Sequence, residues 1–232
     1  MRWTYLALAT GLLAASAGGA AAAGPASPPA DYKIDTQYTA TSPDGATTIE
    51  QYGKDDPDNG YSWQFWVRRQ GAQSLLDAKS ADYPAGFRFT NNSQWLVRMQ
   101  PAGAGYADLY LYRLGPSGFV AATKKPLSDL AWDYFNSRPE TRKIAKPNLH
   151  ISANLLKGVD DNYKWLGESW PDSRYIVITL SGELDPTAQH GQTLQVRGWR
   201  CRYDLQTGKF DVPADFAANN KQALIPQDLS KS

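Results

Sequence analysis

The chain has 232 residues, with 24 Lys plus Arg, 23 Asp plus Glu, two His and one Cys, a length for one large or two small domains. Near-neutral charge sets aside nucleic acid and anionic membrane surfaces as main partners, since both select a basic excess. A mean hydropathy of -0.51 without a bilayer-length apolar run sets aside an integral membrane protein, and one cysteine sets aside a disulfide framework or a Cys-rich zinc site.

Met1-Arg2 is a short positive start, Leu6 to Ala17 is apolar, and Ala21-Ala22-Ala23 before Gly24 forms a small-residue cleavage site. These are the parts of a secretory signal peptide over residues 1–23, with a cut after Ala17 as the alternative. The apolar run is about a dozen residues, short of the roughly 20 that span a bilayer. Cleavage after Ala23 removes Arg2 and no acid, leaving equal numbers of basic and acidic residues. The expected location is periplasmic or secreted. Residues 24–30 (GPASPPA) read as a disordered linker, residues 31–225 as a single β-rich domain, and residues 226–232 as a frayed tail.

Most of the mature chain alternates at period two, the signature of half-buried strands. Tyr32, Ile34, Thr36 and Tyr38 share one face. Tyr61, Trp63, Phe65 and Val67 share another, opposite Ser62, Gln64, Trp66 and Arg68. Trp95, Val97 and Met99 form a third apolar face. Residues 109–114 (LYLYRL) and 175–180 (YIVITL) are apolar on both faces, as interior strands are, although the hydroxyls of Tyr110 and Tyr112 are expected to stay wet. In residues 194–203 the apolar parity slips from Leu194 and Val196 to Trp199, Cys201 and Tyr203. Gly198 stands at the slip, which predicts a β-bulge there.

Three turn-then-strand starts overlay: Ser42-Pro43-Asp44-Gly45, Thr90-Asn91-Asn92-Ser93 and Trp170-Pro171-Asp172-Ser173. Each carries an Asp or Asn able to bond its own backbone, followed by Gly or Ser. Each leads to a second strand with its own tight turn, in residues 65–73, 111–119 and 201–210; the last contains Asp204-Leu205-Gln206-Thr207-Gly208-Lys209. The pairing of an S-P-D-G turn with a later D-L-x-T-G-K turn resembles the blades of secreted β-propellers of the TolB and WD-repeat type, over residues 42–119 and 170–210. The resemblance implies antiparallel hairpins in three blade-like units, arranged as an open propeller-like stack or an irregular sandwich. Three units are fewer than the four blades at which propellers close.

Between the second and third units the period becomes helical. Leu127, Leu130, Ala131, Tyr134 and Phe135 predict one inserted amphipathic helix near residues 126–137, started by Pro126 and stopped by Pro139. Residues 213–224 predict a second, weaker helix.

No phosphate loop, dinucleotide fingerprint, metalloprotease helix or G-x-S-x-G elbow occurs, so no cofactor is expected. His150 falls on a strand edge and His190 in a polar loop, neither beside a nucleophile. Asp55-Asp56-Pro57-Asp58-Asn59-Gly60 resembles a calcium loop until Pro57 and Trp66 occupy ligand positions, and it reads as a hairpin turn. Cys201, inside an aromatic strand, reads as a buried small hydrophobe.

Three functions remain open. The first is a non-enzymatic exported protein that binds another envelope protein. The second is a carbohydrate-binding module with exposed Trp and Tyr as platforms, Trp66 foremost and Trp170 beside Glu168 and Asp172. The third is a hydrolase using Glu168, Asp172 or a histidine. Arg68, Arg200 and Arg202 add a cationic face suited to a carboxylate-bearing partner.

Overall fold

The computed structural model describes residues 27–228 apart from 59, 104–105, 143, 145, 157–172 and 185–191. Residues 1–23, where a signal peptide is expected, and Trp165, Glu168, Trp170, Asp172 and His190 lie outside the described residues.

The fold is mainly β, in three antiparallel sheets. The first is a meander of β1 (Lys33–Thr41), β2 (Thr47–Asp56), β3 (Gly60–Arg69) and β4 (Ala72–Leu75). The second repeats that order with β5 (Gly86–Phe89), β6 (Trp95–Pro101), β7 (Ala107–Gly115) and β8 (Gly118–Ala121). The third is built on β9 (Leu149–Leu155), β10 (Tyr175–Glu183), β11 (Gln192–Asp204) and β12 (Lys209–Asp211), with β13 (Leu224–Asp228) added on β11. Each sheet is thus a blade-like unit, and among the described residues they do not close into a barrel.

The turns that open β2 and β6 make the same bonds. Ser42 Oγ donates to Asp44 Oδ1 at 2.6 Å and accepts from Thr47 N–H at 2.9 Å. Thr90 Oγ1 donates to Asn92 Oδ1 at 2.7 Å and accepts from Trp95 N–H at 3.0 Å. Gly45 has φ +69°, and Ser93 holds the same left-handed conformation at +57°.

Alternation supplies two cores from one central sheet. Leu96, Phe87, Phe89, Tyr112 and Phe119 of the second sheet meet Ile49, Phe65 and Val67 of the first. From its other face, Val97, Leu109 and Leu111 meet Ile176, Ile178, Trp199 and Cys201 of the third sheet. That second core is capped by Leu127, Ala131, Trp132 and Phe135 of helix α1 (Leu127–Ser137). The helix ends where Arg138, before Pro139, turns extended at ψ 142°. The expectation that both tyrosines of 109–114 keep wet hydroxyls fails at Tyr112, which is buried and donates to Asp77 Oδ2 at 2.6 Å.

The β-bulge lies where the parity slip put it. Pairing runs from Leu180↔Trp199 to Gly182↔Val196, so Ser181 faces two residues, and Gly198 adopts φ +67° while its N–H donates to Ser181 Oγ. Between the residues paired with β13 and those paired with β12, residues 197–201 of β11 have no strand partner on the outer side. Helix α2 (Ala217–Gln222) fills the gap with a side chain: Asn220 Oδ1 accepts from Arg200 N–H and its Nδ2 donates to Arg200 O, both at 2.7 Å. A 3-10 turn at Ala214–Phe216 precedes α2. The frayed tail expected from residue 226 is corrected for 226–228, which ladder with Leu194, Thr193 and Gln192. A free edge on β11 was there to receive them.

Candidate functional site

Two of the three arginines of the sequence-predicted cationic face are ion-paired. Arg68 makes a bidentate pair with Glu50, and Arg202 one with Asp211 while lying over the Tyr175 ring at 3.9 Å. Arg200 is held through its backbone by Asn220. These residues stand on two sheets and do not converge.

Trp66 is corrected outright. It occupies the polar face of β3 as its parity requires, yet it is 0% exposed, and its Nε1–H donates to Gln64 Oε1. The polar neighbours knit together over that face: Arg68, Gln73 and Tyr52 all donate to the Glu50 carboxylate. Burial raises the Glu50 pKa, and those three bonds more than offset it, leaving it below the usual glutamate value. Trp63 and Trp199 are buried too, and Trp95 is partly covered with Arg113 over its ring. Among the described tryptophans, the expected exposed platforms are therefore absent.

His150 sits at φ +49° with Nδ1 3.3 Å from Glu183 Oε2, its ring tilted against that of Tyr106 at 5.4 Å. Glu183 also accepts from Gln195 Nε2. Cys201 is fully buried, and burial pushes its thiol far above the ordinary range, so it is a core residue as expected. Asp55 and Asp56 lead into the β2–β3 hairpin turn, where Asp58 N–H donates to Asp56 Oδ1.

Two features of the surface converge around the connector of residues 76–85, which joins the first sheet to the second. Backbone bonds in both directions between Trp63 and Ala81 pin it, and Gln51 clamps its end by donating to Ala85 O and accepting from Ala85 N–H. On its outer side lies an aromatic hollow of about 390 Å³ lined by Tyr61, Trp63, Asp82, Tyr83 and Pro84. Tyr61 lies 5.2 Å from the Trp63 ring, and Tyr38 meets the same ring edge-on at 5.8 Å. Tyr38, Tyr61 and Tyr83 are 42%, 39% and 46% exposed.

On its inner side lies a polar cleft of about 490 Å³. Strand β6 builds its floor: Leu96 belongs to the core, and two residues further along the same face come Arg98 and then Gln100. Their partners across β7 are Tyr110 and Asp108. Arg98 Nη1 donates to Asp77 Oδ2 at 2.6 Å, and its guanidinium lies 4.0 Å from the centre of the Tyr110 ring. Gln100 Nε2 donates to Tyr83 O and Pro101 O. Ser128 holds Asp108 from α1 at 3.0 Å. Burial, then the Asp108 charge, raises the Tyr110 pKa and keeps the phenol neutral. Arg98 and Gln100 are 6% and 7% exposed, yet Arg98 Nε and Gln100 Oε1 make no hydrogen bond within the protein.

Sequence reading missed this cleft because it took residues 95, 97 and 99 as the apolar face of β6 and left the opposite face unassigned. The available signal was Leu96, an apolar residue sharing parity with Arg98 and Gln100 beside a strand apolar on both faces. Among the described residues no group of three His, Cys, Asp or Glu is placed to hold a metal ion. Comparison with protein-family models and with curated proteins finds no match.

Proposed function

We propose that this chain is an exported, non-enzymatic binding protein of the bacterial envelope, in which blade-like units of the TolB and WD-repeat type present a docking surface to another protein. The observation that carries this reading is the aromatic hollow. Three tyrosines stand exposed around one tryptophan, and one of them, Tyr38, belongs to β1, a strand that pairs on one side only among the described residues. Tyr and Trp supply large contact area at low entropic cost and dominate protein interfaces. An edge strand adds main-chain bonds to an incoming segment. The buried tryptophans weigh against the glycan reading, which asked for them as platforms.

The test is a photo-crosslinking residue at Tyr61 in the exported protein, with the same residue at exposed Val120 on β8 as control. Discrete protein adducts at Tyr61 that vanish with Tyr83→Ala support the reading. Adducts indistinguishable from the Val120 control overturn it. So does a glycan at the hollow itself: a saturable tryptophan fluorescence shift with soluble peptidoglycan fragments that Tyr83→Ala abolishes, in place of protein adducts, moves the assignment to a glycan.

A further inference from the structure

We propose that the polar cleft under the connector is a binding site for a neutral polyhydroxylated ligand, a saccharide, held by Arg98 Nε–H and Gln100 Oε1. This rests on the cleft's own groups and not on the protein-docking reading of the hollow.

The two atoms are a donor and an acceptor, each buried and each without a protein partner. Buried polar groups in folded proteins are overwhelmingly bonded, so such a pair on two residues that line one cleft marks a place where something else supplies the bonds. Arg98 and Gln100 are alternate residues of one strand, so their side chains rise from the same face about 7 Å apart. A ligand that presents polar groups along an edge fits that spacing better than a point ion.

Charge selects among such ligands. The Arg98 cation already has its counter-ion in Asp77, itself fixed by Tyr112. The remaining charges lining the cleft are Asp82 and Asp108 against Lys79, an acidic excess. An anion entering the cleft meets that excess with only the exposed Lys79 to offset it. An ammonium group would satisfy Gln100 and Asp108 but offers no acceptor to Arg98 Nε. A hydroxyl both accepts and donates, carries no charge, and also suits the carboxylates. Arg98 is held ready for it by the Asp77 bond on one side and the Tyr110 ring beneath, so little ordering remains to oppose binding.

The experiment is calorimetric titration of the mature protein with glucose, galactose, mannose, N-acetylglucosamine and cellobiose, alongside glycine and acetate. Two variants accompany it. Arg98→Lys keeps a cation for Asp77 and removes the Nε donor. Ala78→Trp places a bulky side chain on an exposed residue of the cleft wall without touching its bonds. Saturable binding of at least one saccharide at millimolar concentration or below is expected, weakened about tenfold or more by Arg98→Lys and lost in Ala78→Trp. Should Arg98→Lys fail to fold, Ala78→Trp carries the comparison. Binding of no saccharide overturns the proposal, as does binding of glycine or acetate alone, or saccharide binding that neither folded variant alters.

Discussion

The backbone N–H of Asp44 donates to the hydroxyl of Ser93 across 3.2 Å, joining the turn that opens β2 to the turn that opens β6. The two turns share their internal bonds, and this contact ties one to the other at the same end of neighbouring sheets. Ser93 occupies a left-handed conformation that Gly45 fills in the first turn. It accepts that strain in return for a bond that glycine lacks.

The two effects at Ser93 separate by substitution. Ser93→Ala keeps the strain and loses the bond, whereas Ser93→Gly loses both. Equilibrium urea unfolding should find Ser93→Ala less stable than Ser93→Gly by about 1 kcal/mol. Equal stabilities would mean that the left-handed residue carries no cost there.

Asn220 acts as a piece of strand, serving both the N–H and the C=O of Arg200. Asn220→Ala removes both partners of a half-enclosed backbone unit and should cost about 2–3 kcal/mol. Asn220→Asp should cost at least as much, because a carboxylate oxygen then faces Arg200 O. Thermal and urea unfolding of the two variants check this, and a cost below 1 kcal/mol (about one hydrogen bond) would show that water replaces the amide.

Glu50 sets an acid limit. Its folded pKa lies below the ordinary value of 4.5, so the unfolded chain takes up its proton first as pH falls. The stability it supplies is fully present above that value and drains away as pH drops through the folded pKa. Urea midpoints measured from pH 6 to pH 3 (roughly the window of carboxylate titration) should decline in the wild type and decline less steeply in Glu50→Gln. Parallel profiles would remove Glu50 from the account.

Trp66 is fully buried outside both apolar cores, between Glu50 and Leu75 on the neighbouring strands. Trp66→Ala should therefore cost about 3–5 kcal/mol, as large aromatic deletions do, and leave little folded protein to assay. A variant of near wild-type stability would return Trp66 to the surface.

What the sequence discloses here is what neighbours along the chain decide. Gly198 marks its bulge because the parity of Val196 and Trp199 changes across three residues. Helix α1 follows from Pro126, Pro139 and the spacing between them. Trp66 instead gains its cross-strand neighbours, Glu50 and Leu75, only after β2, β3 and β4 have paired. Arg68 looks like a free cation until that pairing brings Glu50 alongside. The cleft is more remote still, since Arg98 and Gln100 become buried only when residues 76–85 fold across β6. Strand β13 escaped notice for a similar reason: nothing within residues 226–228 announces that β11 is long enough to offer a second partner an edge.

The chain carries one thiol, Cys201, sealed in the second core and kept protonated by its surroundings. A maleimide probe consequently finds nothing to react with on the folded surface. Any cysteine installed at an exposed position, Tyr83 beside the hollow or Lys79 at the mouth of the cleft, becomes the sole labelling handle without prior removal of a native one. The same silent thiol doubles as an unfolding clock, because it reacts only when the sheet around it opens.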